Sequence, residues 1–125
     1  MNRDQMTRNS QLAIQQAQQL ARQLQHSEID AEHLLSALLE QSDGLVPRLL
    51  EKMGVAVTEL RSAVQGLLQQ RAKVSGSSQQ LYLSPRLDRI LTRAQREAEG
   101  LKDEYISVEH LLLALVSEET KSELG

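Results

Sequence analysis

Two Glu-His pairs are the residues whose types suggest chemistry. Glu32-His33 and Glu109-His110 stand 77 positions apart. An imidazole beside a carboxylate can ligate a metal or move a proton. One reading therefore assembles the four side chains into a metal or acid–base site across a twofold. The other is structural. Each His falls near the third position of a helix, where it would bond a neighbouring carbonyl or pack its ring on the other half of the chain. A spacing of 77 residues carries no ligand geometry of its own. No His-Glu-x-x-His string and no cysteine occur, and no Gly-x-x-x-x-Gly-Lys-Ser/Thr phosphate loop. The structural reading is preferred, with no catalytic residue and no metal ligand assigned.

The pairs sit inside a longer duplication. Ile29-Asp30-Ala31-Glu32-His33-Leu34-Leu35-Ser36-Ala37-Leu38-Leu39 returns as Ile106-Ser107-Val108-Glu109-His110-Leu111-Leu112-Leu113-Ala114-Leu115-Val116. Each copy has a capping residue, a polar first turn and an aliphatic run, the grammar of a helix start. The same offset carries Thr7 to Ser84, Ala17-Gln18 to Ala94-Gln95, Ala21 to Ala98 and Leu24 to Leu101. A repeat of this kind constrains the whole fold.

Taken in order, the chain predicts six helices. Thr7 caps the first, which runs to about Leu24 with Ala13, Ala17, Leu20, Ala21 and Leu24 on one face. Asp30 opens the second, with Glu32 in the first turn, where a negative charge suits the helix dipole. A third starts near Pro47, turns Val46, Leu49, Leu50 and Met53 inward, and ends at a left-handed Gly54. Thr58 caps a fourth, with Leu60, Val64, Leu67 and Leu68 inward. The stretch 73–80, centred on Val74-Ser75-Gly76-Ser77-Ser78, reads as an exposed loop. Ser84-Pro85 starts the fifth helix, whose buried side is Leu87, Ile90, Leu91, Ala94, Ala98 and Leu101, and Ser107 caps the sixth. The fold class is all-α, a pseudo-twofold duplication of a four-helix repeat. Repeat one covers about 6–70, a linker about 73–82 and a partial second repeat about 83–125, its last two helices missing at the C-terminus.

Composition narrows the function. A net charge of −3 over 125 residues gives no field to draw the chain to nucleic acid or membrane, and no apolar run approaches a membrane span. The arginines of the fifth helix (Arg86, Arg89, Arg93, Arg96) alternate with Asp88, Glu97 and Glu99, the pattern of a solvated face. Tyr82 and Tyr105 are the only aromatics, so the core is aliphatic and base-stacking platforms are missing. Absence of cysteine favours a cytoplasmic address.

With both copies laid out, the chain resembles a known family. Asp103-Glu104-Tyr105-Ile106-Ser107-Val108-Glu109-His110-Leu111-Leu112-Leu113-Ala114-Leu115 resembles the second repeat of the Clp N-terminal domain, and within that family it is most similar to the ClpB disaggregases. Glu28 to Leu35 resembles the first repeat, and Tyr82-Leu83-Ser84-Pro85 the start of the second unit. The likeness covers about residues 4–125. It implies a non-catalytic module on a ring-forming homohexameric ATPase, with ATP and Mg bound elsewhere in the full-length protein and no cofactor in this chain. It further implies unfolded or aggregated polypeptides as clients and a DnaK-type chaperone system as partner, with the isolated domain a monomer. Clients would meet an apolar groove between the repeats, for which Leu12, Leu87, Leu91 and Tyr105 are the expected wall. The polar rim implied by the resemblance is Thr7, Glu32, Ser84, Asp103 and Glu109. The alternative it carries is an adaptor-docking or phosphoarginine-reading domain of a Clp-protease unfoldase, using Thr7, Glu32, Ser84 and Glu109.

Overall fold

A computed structural model describes residues 5–74 and 80–124, with side chains to 118. It contains α1 (Arg8–Gln23), β1 (Glu28–Ile29), α2 (Ala31–Leu39), α3 (Leu45–Lys52), α4 (Val57–Gln70), β2 (Tyr82–Leu83), α5 (Pro85–Gly100) and α6 (Val108–Leu124). The chain is all-α apart from the two-residue strands.

The repeats are built alike. α1 packs on α2 and α5 on α6, and the two hairpins then meet, α1 against α6 and α5 against α2. α3 and α4 lie over α2. Small residues at matched positions let the helices approach closely: Ala17 and Ala21 on α1, Ala94 and Ala98 on α5, Ala37 on α2 and Ala114 on α6 are all buried. Between them sit Leu34, Leu38, Leu39 and Leu68, with Ile90 and Leu111, essentially without solvent contact.

The halves also exchange backbone bonds. β1 pairs in parallel with β2, placing Ile29 opposite Leu83. A bridge joins Met6 to Ile106 in the same sense. The offset of 77 carries Met6 to Leu83 and Ile29 to Ile106, so each repeat's first segment pairs with the other's second. This crossed pairing fixes the pseudo-twofold in hydrogen bonds.

Helix ends are duplicated too. Gln25 (φ 61°) and Lys102 (φ 59°) are left-handed and end α1 and α5. His26 N–H returns to the Ala21 carbonyl at 2.9 Å and Asp103 N–H to the Ala98 carbonyl at 2.8 Å, the Schellman closure. Gly54 (φ 84°) ends α3 the same way, with Val55 N–H on the Leu50 carbonyl at 2.9 Å.

Several expectations need correction. α4 is preceded by Ala56, with no side-chain cap; Thr58 lies inside the helix. The tight stop at Gly54 starts the next helix early enough to bury Val57. Met53 and Leu101 are 62% and 61% exposed, because each is the C-cap residue before a left-handed turn, and Leu67 faces outward on α4. Pro47 is in the first turn of α3, but that helix begins at Leu45 behind a left-handed Gly44. Of the loop expected over 73–80, residues 75–79 lie outside the described residues; Val74 is tied by its N–H to the Gln25 carbonyl at 2.8 Å.

Candidate functional site

The axis relating the repeats passes through a concavity of about 350 Å³ between α1 and α5. Its lining comes in pairs at the 77-residue offset: Ile14 with Leu91, Gln18 with Gln95, Met6 with Leu83, and Gln11 with Asp88. Ile29, Leu81 and Thr92 complete it. A smaller apolar pit of about 30 Å³ continues inward to Leu34 and Leu87. The seam has an aliphatic floor, an amide rim and one charge, Asp88. Ile14 and Leu91 line both the seam and the pit, with Ala17 in the wall of the pit.

Of the expected apolar wall, Leu91 lines this seam directly. Leu87 lies beneath it, 3% exposed, so it forms the floor of the pit. Leu12 and Tyr105 are exposed and line neither concavity. Reading missed Ile14, Leu81 and Leu83. The offset itself was the usable signal, since Leu91 maps back to Ile14.

The polar candidates fall into two corners, where helix starts of opposite repeats meet. In the first, Ser84 at the α5 start is 2% exposed; its hydroxyl accepts from Leu87 N–H at 2.9 Å and donates to Asp30 Oδ1 at 2.8 Å. Asp30 also receives Arg86 Nε at 3.1 Å and Arg71 Nη1 at 3.1 Å. Glu32 is paired with the same two arginines, Arg71 at 3.2 Å and Arg86 in close contact. Burial pushes the Asp30 carboxyl upward, but the Ala31 N–H, Arg86 and Ser84 outweigh it and hold it down at about 2. The same two carboxylates raise Arg86 against its own desolvation. This corner is filled by the chain's own guanidinium groups.

The second corner is its mate and is open. Thr7, Arg8, Asn9, Leu45, Ser107, Val108 and Glu109 line a shallow hollow of about 320 Å³. Asp30 is replaced here by Ser107 and Arg86 by Asn9, which bonds Asp43 instead at 3.0 Å. Thr7 caps α1, its hydroxyl accepting from Ser10 N–H at 3.2 Å. Glu109 is exposed, and its side chain makes no hydrogen bond or ion pair among the described residues.

Both histidines are buried and hydrogen-bonded within the chain, and their partner differs from the expected carbonyl. His33 Nδ1 accepts from the Asp30 N–H at 2.9 Å, and His110 Nδ1 from the Ser107 N–H at 2.8 Å. His33 completes a capping box in which His stands where Glu or Gln is usual, and His110 makes the same return bond to its N-cap residue. The far nitrogen turns back within its own repeat, His33 Nε2 to His26 Nδ1 at 2.8 Å and His110 Nε2 to Asp103 at 2.9 Å. Asp103 is thus the counterpart of His26, a half-exposed prop for His110. Desolvation, then the charges of His26 and Arg71, lower His33 to about 4. Among the described residues, no group of three or more His, Cys, Asp or Glu is placed to hold a metal ion, and no helix is long and apolar enough to cross a membrane.

Residues 5–124 match the family model described as the Clp repeat (R) N-terminal domain. The chaperone protein ClpB of Bacillus cereus is 45% identical over 121 residues, covering 94% of this chain and 14% of its own length. The chain therefore spans about a seventh of the curated relatives it matches. Among solved structures, the Hsp104 N-terminal domain from Candida albicans superposes with a TM-score of 0.85 at 22% identity, over 94% of this chain and 77% of that one. A complex of the ClpV N-domain with a VipB peptide matches with a TM-score of 0.73 at 24% identity, over 91% and 69%.

Proposed function

The chain belongs to the family of Clp repeat N-terminal domains, and on that premise we propose that it is the non-catalytic polypeptide-binding module of an ATP-dependent disaggregase. The observation that carries this is the open aliphatic seam on the pseudo-twofold, between Ile14 and Leu91. Clients are unfolded or aggregated chains, whose apolar side chains the seam takes from water. Each side chain fully buried gains roughly 1.5–3 kcal/mol, and each ordered one gives back roughly 0.5–1.5 kcal/mol. With rigid-body entropy also opposed, a few side chains yield weak, sequence-tolerant binding, suited to a module that must release its client. ATP and Mg belong to other modules of a homohexameric full-length protein in the cytoplasm, served by a DnaK-type system, and this chain on its own is a monomer.

The neighbour solved with a VipB peptide supports short-segment recognition by this fold. The alternative is an adaptor-docking or phosphoarginine-reading domain; phosphoarginine reading is disfavoured at Glu32, because Arg71 and Arg86 already occupy that corner. It would be confined to Thr7, Ser107 and Glu109 in the open one.

The test is titration of this chain with reduced, carboxymethylated α-lactalbumin, a permanently unfolded protein. Binding is expected, and Leu83→Asp, which charges the exposed edge of the seam, is expected to weaken it about tenfold or more with helical content unchanged. No binding by the unmodified chain would sink the proposal.

A further inference from the structure

The seam has a second recognition element beside its apolar floor. β2 uses only one of its edges. Tyr82 N–H donates to the Ser27 carbonyl and Ser84 N–H to the Ile29 carbonyl, both at 3.0 Å. Main-chain groups alternate sides along a strand, so the N–H and C=O of Leu81 and Leu83 point away from β1. Among the described residues, neither Leu81 nor Leu83 makes a main-chain hydrogen bond. Leu81 is half-buried and Leu83 exposed. Both side chains line the seam. The mate edge is not equivalent: the Met6 carbonyl is taken by Gln11 Nε2 at 3.1 Å.

We propose that client segments bind extended, as a third strand on the free edge of β2, their main chain paired with Leu81 and Leu83 and alternate side chains lowered between Ile14 and Leu91. This rests on the seam being the client site, and names the conformation it selects. An unpaired strand edge offers donors and acceptors at the spacing of an extended main chain. A helix, with its backbone bonds spent internally, cannot use them. Main-chain pairing also explains tolerance of sequence, since every residue but proline supplies the same groups. The one charged lining residue, Asp88, favours segments flanked by lysine or arginine over acidic ones.

The probe is a lysine-flanked decapeptide with a Val-Thr-Val-Leu-Val-Thr centre, titrated into the ¹⁵N-labelled chain. The Leu81 and Leu83 amide protons are expected to move downfield and gain protection from exchange. Two N-methylated versions decide the mode. Methylating the amides that face β2 is expected to weaken binding about tenfold or more, while methylating the alternate, outward amides leaves it within about twofold. Equal loss from both patterns, no loss from either, or a helical bound peptide would overturn the strand mode while leaving the seam as a client site. A peptide that fails to bind while unfolded α-lactalbumin still binds overturns the strand mode alone; failure of both overturns the client site with it.

Discussion

Replacing Asp30 by Asn probes the joint between the repeats. Asp30 caps α2 and holds Ser84, Arg86 and Arg71 from the facing elements, with its side chain 13% exposed. Its carboxyl is lowered from the ordinary 3.8 to about 2. That difference corresponds to about 2 kcal/mol of folding stability at neutral pH. The direction is fixed by linkage: a depressed carboxylate contributes fully above 3.8, and the contribution fades as pH falls through about 2. At pH 3 about half remains. Asp30→Asn keeps a good capping side chain but not the charge. Urea unfolding followed by circular dichroism is expected to show a loss of about 2 kcal/mol at pH 7, shrinking to about half at pH 3. Asp30→Ser, which installs the residue found at the mate position Ser107, is expected to behave similarly, because it too caps without charge. An unchanged stability in Asp30→Asn at pH 7, or an equal loss at both pH values, would refute the reasoning.

Three further outcomes follow from the same contacts. His33→Gln keeps the capping box and removes the titration. The wild-type chain is expected to lose stability as pH falls from 6.5 to about 4, because the unfolded state takes up the proton first; a denaturation series across that range should be flatter in the variant. Gly54→Ala meets no atom within 4 Å, so only its φ of 84° opposes it, and a loss of about 1 kcal/mol is expected in chemical unfolding. Leu38→Ala empties a fully buried position under α4 and is expected to cost about 3 kcal/mol, read as a lowered urea midpoint with unchanged slope.

The fold was legible because its strongest signal is written twice. The offset between Glu32-His33 and Glu109-His110 carries the helix starts, the alanine faces and, in the folded chain, the crossed bridges Ile29–Leu83 and Met6–Ile106. What could not be read rests on contacts distant in sequence. Gln25 and Lys102 adopt left-handed turns that residue type does not announce. Thr58 looks like a cap, yet the turn at Gly54 sets where α4 begins. Arg71 and Arg86 look like surface charges until α2 brings Asp30 and Glu32 between them. The seam was half visible. Of the four residues expected in its wall, Leu91 and Leu87 line it or its inner pit, and Leu12 and Tyr105 do not. The 77-residue offset, which carries Leu91 back to Ile14, is what distinguishes Ile14 from Leu12 in the sequence.

The seam between α1 and α5 as client site is tested most directly by mapping amide and methyl shifts of the labelled chain with unfolded α-lactalbumin. Perturbations centred on Ile14, Leu81, Leu83 and Leu91, with Leu67 and Val116, which line a different apolar hollow, unmoved, are the expected result. Perturbations centred instead on Leu67 and Val116, or none at saturating client, would contradict it.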